Sequence, residues 1–288
     1  MINDYQLGRV GLWSMELRGD RQASAAAAAE IEALGFGAVW IPGGIDSDVL
    51  DDTASLLAAT QRMTIATGIL NIWMHKPADV AAWYRGLPTA QQQRVLLGLG
   101  VSHSLIIGEK WQKPLSLMRK YLDDLEAAGM PKEKLCLAAL GPKMLELSRD
   151  RTLGAHPYLV NPEHAKQARS ILGADALLAP EQGVVLEQNL AKARNAARQA
   201  LSIYLQLPNY CNNWLRMGFT QEDLDSASDR LIDGLFACGS AQAIAQRVEA
   251  YFAAGADHVC LQVINSQPED NSMQTYLSTC KQLASALL

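Results

Sequence analysis

One helix-to-strand unit occurs near both ends of the chain. Ala33-Leu34-Gly35-Phe36-Gly37-Ala38-Val39-Trp40-Ile41 closes an Ala-rich helical stretch and opens an apolar run, and Ala253-Ala254-Gly255-Ala256-Asp257-His258-Val259-Cys260-Leu261 repeats the pattern more than 200 residues later. In each unit a Gly stands where a helix ends in the left-handed conformation. The continuously apolar, β-branched run that follows is what a parallel strand buried on both faces requires. A chain that begins and ends on the same unit, with similar units between, predicts a closed (β/α)8 barrel, whose chemistry sits at the C-terminal ends of the strands.

The remaining periodicity fits that expectation. Strand-like runs fall near 8–13, 37–42, 62–70, 94–101, 134–140, 154–160, 183–188 and 257–264, separated by helical patterns at 20–34, 49–59, 78–85, 114–128, 142–151 and 162–172. Several of these helices open on Pro, Asp or Asn, as helix starts do. The 288 residues make one barrel domain, and 189–240 reads as a helical insertion, or cap, between the seventh and eighth strands, with no strand of its own. Its segment Leu207-Pro208-Asn209-Tyr210-Cys211-Asn212-Asn213-Trp214 is either a plain helix–helix connection or part of a pocket wall.

Composition excludes several classes. A net charge of −5 without a basic cluster argues against nucleic-acid binding. Met1 to Gln6 carry neither a basic nor an apolar leader, and no apolar run approaches the roughly 18 residues of a membrane span. Five cysteines, odd in number and without a C-x-x-C pair, point away from zinc and from a disulfide framework, and toward a reducing cytoplasm. The five histidines show no H-x-H or H-E-x-x-H, so no metal is expected, and there is no G-x-S-x-G elbow. So few catalytic side chains suit a reaction in which a cofactor performs the hard step.

The strand ends supply the candidates. Gly68-Ile69, in the run Thr67-Gly68-Ile69-Leu70-Asn71, allows close approach of backbone to a flat ligand, or is an ordinary strand-end Gly. Ser102 and His103 follow the fourth strand, just ahead of Ser104, and His103 reads as structural or catalytic. Gly141-Pro142-Lys143-Met144 opens a helix directly after a strand. That is either a simple Pro-started helix or an anion site with the Lys143, Met144 and Leu145 amides as donors. Glu181 is more simply a turn carboxylate than a buried acid.

The order and spacing of Gly35-Phe36-Gly37-Ala38-Val39-Trp40-Ile41-Pro42, Ala66-Thr67-Gly68-Ile69-Leu70-Asn71, Leu97-Gly98-Leu99-Gly100-Val101-Ser102-His103, Ala139-Leu140-Gly141-Pro142-Lys143-Met144, His156-Pro157-Tyr158-Leu159-Val160 and Gly255-Ala256-Asp257-His258-Val259 resemble the luciferase-like monooxygenase superfamily, in particular its coenzyme F420-dependent oxidoreductases. The resemblance implies a bacterial-luciferase-like TIM barrel that moves a hydride between F420 and a small organic substrate, commonly as a homodimer. It implies a cis Gly68–Ile69 peptide, with Asn71, Ser102 and Tyr158 beside the ring, and phosphate at Gly141, Pro142, Lys143 and Met144. His103 would be the proton-relay residue, and Trp13, Trp73, Tyr210 and Asn213 would line the substrate space. An FMN-dependent monooxygenase and a non-catalytic cofactor-binding protein are the alternatives. Two departures stand out: Pro42-Gly43-Gly44 where F420 relatives place His, Asp or Glu, and Thr152-Leu153-Gly154 where Ala-Asp-Gly is common.

Overall fold

The two repeated glycines do adopt left-handed backbone, with φ of 100° at Gly35 and 97° at Gly255. Each ends a helix, α1 (Arg21–Ala33) in the first case, and turns the chain into a buried parallel strand. The computed structural model describes residues 7–43, 48–103, 107–108, 113–267 and 269–288. Gly44 and Ser104 lie outside the described residues.

All strand pairing is parallel. The strands are β1 (Val10–Trp13), β2 (Ala38–Gly43), β3 (Thr64–Asn71), β4 (Val95–Gly100), β5 (Leu135–Leu137), β6 (Gly154–Ala155), β7 (Leu177–Leu178), β8 (Glu181–Leu186), β9 (Phe236–Gly239) and β10 (Val259–Val263). Their order in the sheet is β7-β6-β5-β4-β3-β2-β1-β10-β8-β9. The seventh strand, expected near 183–188, is β8, and a two-residue strand that was not expected, β7, precedes it across Ala179-Pro180. β7 pairs with β6, and β8 with β10. The junction bonds to both sides: the Ala179 and Glu181 amides donate to Ala155 and Pro157, while the carbonyls of Leu178 and Pro180 accept from Asp257 and Cys260. Through this one continuous stretch the sheet closes.

Side chains alternate as a filled barrel demands. Trp13, Trp40, Ala66, Leu96, Cys136, Leu177 and Cys260 meet inside the barrel. Leu12, Val39, Ile65, Val95, Leu97 and Leu261 belong to the larger core beneath the helices. That outer layer comprises α1, α2 (Val49–Ala59), α3 (Pro77–Gly86), α4 (Thr89–Gln93), α5 (Pro114–Ala127), α6 (Pro142–Arg151), α7 (Pro162–Leu172), α12 (Ala241–Ala253) and α13 (Met273–Leu287).

The insertion holds α8 (Leu190–Leu201), α9 (Pro208–Arg216), α10 (Gln221–Ser226) and α11 (Asp229–Leu235) around its own core, with Trp214 and Phe236 at the centre. The expectation of a strandless insertion is corrected at its end. β9 pairs along β8 from Gly183–Phe236 to Leu186–Gly239. It can do so because β6 is only two residues long and leaves that edge of β8 open.

Between β3 and β4 the backbones come close. Thr67 Oγ1 donates to the Gly98 carbonyl at 2.8 Å, and a Cβ on Gly98 would lie 2.2 Å from the Thr67 carbonyl oxygen. Gly98→Ala must force the strands apart, so it should lower stability by about 2 kcal/mol or more in chemical denaturation. An unchanged midpoint would show that the strand spacing does not require glycine.

Candidate functional site

A cavity of about 460 Å³ opens at the C-terminal ends of β3, β4 and β5. Ile69 and Gly100 form its base, and Val101, Ser102 and His103 continue from β4. Ala138 to Gly141 and Met144 form one wall, Tyr158 another, and Asn209, Tyr210, Asn212 and Arg216 of α9 the roof. Its volume is in the range of small-molecule and cofactor sites.

The base is shaped by β3. Its register slips between Thr67 and Leu70, and the Gly68–Ile69 peptide is cis. The Gly68 carbonyl accepts from Trp13 Nε1 at 2.7 Å. A Cβ on Gly68 would meet that nitrogen at 2.7 Å, and one on Gly100 would meet Ile69 Cδ1 at 2.5 Å. Gly100 therefore makes room for the Ile69 side chain in the cavity, and Gly68 for the Trp13 indole beneath it.

Beneath the base, two histidines are structural. Trp40 stacks on His156 with centroids 4.2 Å apart, and its Nε1 donates to His258 Nε2 at 3.2 Å. Each histidine also turns Nδ1 to a carbonyl, of Ala179 and of Gly8 respectively. Burial pushes both down to about 4, so they stay neutral. His164 holds the cavity wall through Nε2 to the Leu140 carbonyl at 2.9 Å.

His103 differs from these. It is half-buried on the cavity wall, and its Nδ1 lies 3.1 Å from Asn209 Oδ1. The Tyr210 ring is 5.6 Å away. Burial holds the imidazole below its usual value, and the Asn209 bond opposes that shift. Neighbouring Ser102 carries φ of 59°, a left-handed turn that ends β4.

At the opposite corner α6 starts at Pro142, and Gly141 caps it without a side-chain bond. The three expected donors are reduced to one. The Met144 and Leu145 amides both donate to the Gly141 carbonyl at 3.1 Å, leaving the Lys143 amide. Pro142 and Lys143 lie on the exposed shoulder, and only Gly141 and Met144 of this segment line the cavity. Arg216 enters from α9: its Nη2 is 3.7 Å from where a Gly141 Cβ would stand, and donates to Asn213 Oδ1 at 3.0 Å. Two positive groups, a helix N-terminus and a guanidinium, thus face each other, and an anion between them would satisfy both.

Tyr158 is set by the residue after it. Leu159 has φ of 53°, strained for a β-carbon-bearing residue. Glu181 Oε2 accepts its amide at 3.0 Å, and Trp214 Nε1 donates to its carbonyl at 3.0 Å. Held so, the Tyr158 hydroxyl donates to Gln262 Oε1 at 2.7 Å and lies 3.1 Å from the Tyr204 hydroxyl.

Several expected site residues sit elsewhere. Asn71 accepts from the Trp73 amide and Trp73 Nε1 donates to the Val101 carbonyl, so both brace the turn after β3. Neither is among the lining residues, and the same holds for Trp13 and Asn213, which support Gly68 and Arg216. Ile69, Ser102, His103, Gly141, Met144, Tyr158 and Tyr210 are brought together, with Gly68 directly beneath. Asn209 and Asn212 fall in the segment read as a helix connection or a pocket wall, whereas sequence reading does not single out Arg216. Their spacing of 3 and 4 residues puts them on one helical face, which was the available signal. Glu181 is also corrected: it is a fully buried acid rather than a turn carboxylate.

Residues 9–129 match the family model described as luciferase-like monooxygenase. An F420-dependent secondary alcohol dehydrogenase in complex with an F420–acetone adduct is 16% identical over 97% of this chain and 99% of that chain, with a TM-score of 0.73. The coenzyme F420-dependent tetrahydromethanopterin reductase from Methanopyrus kandleri is 13% identical over 95% and 97%, with a TM-score of 0.65. The oxygenating constituent of 3,6-diketocamphane monooxygenase from the CAM plasmid of Pseudomonas putida, in complex with FMN, is 13% identical over 97% and 99%, with a TM-score of 0.68. At such low identity the structural likeness shows a shared fold.

Burial pushes the Glu181 carboxyl up to about 8, with the Leu159 amide opposing, and its Oε1 has no partner. Above about pH 4.5 the unfolded chain ionises this group while the fold keeps it protonated. The site therefore costs stability progressively as pH rises from there toward 8. Glu181→Gln keeps the shape without the charge. Thermal denaturation should show the variant gaining on the wild type between pH 5 and pH 8, by on the order of 1–3 kcal/mol. Parallel pH profiles would contradict a protonated Glu181.

Proposed function

We propose that the protein is an oxidoreductase using coenzyme F420: residues 9–129 match the luciferase-like monooxygenase family model, and the chain shares its fold with an F420-dependent secondary alcohol dehydrogenase. It transfers a hydride between this deazaflavin and a small organic substrate. The observation that carries the reading is the cavity's polarity. A proton-handling imidazole stands at one end and an anion-accepting corner at the other, with an apolar base between.

The residues present fit such a cofactor. Ile69, over the cis peptide, and the Ala138–Ala139 backbone offer a flat apolar support for a ring system. Gly141, the Lys143 amide and Arg216 can receive the phosphate, with the Lys143 side chain adding charge from outside. When bound, the deazaflavin supplies or accepts the hydride. His103 then handles the accompanying proton at the substrate oxygen, removing it when the substrate is oxidised and returning it when a carbonyl is reduced. The roof formed by α9 excludes water from the reacting pair.

The absence of a protic side chain at Pro42 and Gly43 leaves this role to His103. Among the described residues lining the cavity there is no carboxylate.

Three outcomes follow. Fluorescence titration should give tighter binding of F420 than of FMN; binding of FMN alone would make the protein a flavin monooxygenase of the same fold. His103→Ala should keep cofactor affinity within a few-fold and lower turnover by roughly 10²-fold or more. A drop in affinity as large as the drop in rate would make His103 a binding residue instead. Arg216→Ala should weaken the cofactor about tenfold, and more than Lys143→Ala does, since Arg216 lines the cavity and Lys143 does not. The reverse ranking would place the phosphate outside the cavity.

A further inference from the structure

The roof of the cavity touches the imidazole itself. Asn209 is the second residue of α9, inside the cap position, so its side chain has no capping role to fill. Here Leu207 occupies the cap, its carbonyl takes the Tyr210 and Cys211 amides, and no side chain caps the helix. The Asn209 oxygen points instead to His103 Nδ1 at 3.1 Å. Tyr210 packs its ring 5.6 Å from the imidazole and is itself wedged against Tyr204 and Trp214, with centroids 5.1 and 5.8 Å away. α9 therefore cannot shift without moving the ring.

We propose that Asn209 is a positioning residue: it fixes His103 as the Nδ1–H tautomer and so presents the bare Nε2 to the cavity. An amide oxygen only accepts, so the nitrogen facing it must donate. In a neutral imidazole the other nitrogen is then the base. The insertion thus governs the chemistry of a histidine that belongs to the barrel. The proposal rests on His103 handling the proton.

The electrostatic surroundings make the test clean. Facing His103 from α9 are Asn209 and Tyr210, and the remaining titratable side chains lining the cavity are Tyr158 and Arg216. Among the described residues that line the cavity there is no carboxylate.

The experiment uses the whole protein labelled with 15N-histidine, with His103 assigned by its loss in His103→Gln. Long-range proton–nitrogen spectra should show the Nδ1–H form in the wild type. Asn209→Ala should let the Nε2–H form gain a major share and should lower the pH midpoint of His103, because the bond that opposes burial is gone. Asn209→Asp places a negative charge at the same nitrogen and should raise the midpoint by about one pH unit or more. Asn209→Ser, whose shorter hydroxyl can donate as well as accept, should loosen the tautomer preference as Asn209→Ala does. With F420 and a turned-over substrate, the acid limb of the rate should move the same way in each variant. An identical tautomer and midpoint in wild type, Asn209→Ala and Asn209→Asp would overturn the proposal. Shifted spectra with undiminished turnover in His103→Gln would leave Asn209 orienting the ring and would refute the proton role of His103 instead.

Discussion

At Ala179-Pro180 one strand of the barrel changes partners. Pro180 has no N–H to give to a ladder, so this residue can only accept, and it does so from Cys260. Below this point the strand lies against β6; above it, β8 lies between β10 and β9. β6 stops at Ala155, and the chain that leaves it turns through His156 and Pro157 to raise Tyr158 into the cavity. The edge of β8 left open by β6 is taken by β9, the last element of the insertion. The barrel closes, the tyrosine is aimed and the insertion is anchored by this one exchange.

Two kinds of histidine result from that architecture. His156 and His258 fill the barrel, pair with carbonyls and with Trp40, and are held neutral by burial. They set the shape of the base under Gly68. His103 stands higher, at the boundary between barrel and insertion, where desolvation is partial and one amide contact decides which nitrogen carries the proton. Glu181 represents the opposite compromise: a carboxyl kept inside to hold the left-handed Leu159, at a cost that rises with pH.

What was legible in the sequence depended on whether the cause was local. Gly35 and Gly255 end helices by their own backbone freedom, and Pro142 and Pro162 start helices by theirs. Those signals gave the barrel rhythm and most helix limits. β7 is two residues of leucine before Ala-Pro, too short to stand out, and Phe236-Ala237-Cys238-Gly239 continues a helical pattern until β8 offers it an edge. Both are decided by pairing across the fold. The site divides in the same way. Ile69, His103 and Gly141 follow strand ends, and that position alone puts them on the cavity. Asn71, Trp13, Trp73 and Asn213 have the right chemistry near the right place, but the Asn71 and Asn213 oxygens and both indole N–H groups are bonded to neighbours. Arg216 and Asn209 reach the barrel only because the insertion folds back over it.

The central claim is that one cavity holds the cofactor between His103 and the Gly141–Arg216 corner. The most direct measurement is a crystal structure of the protein with F420 bound. The account predicts the ring over Ile69, the phosphate within hydrogen-bond distance of the Lys143 amide and the Arg216 guanidinium, and His103 Nε2 facing the reactive edge of the ring. A cofactor bound outside this cavity, or one whose phosphate lies away from Gly141 and Arg216, would contradict it.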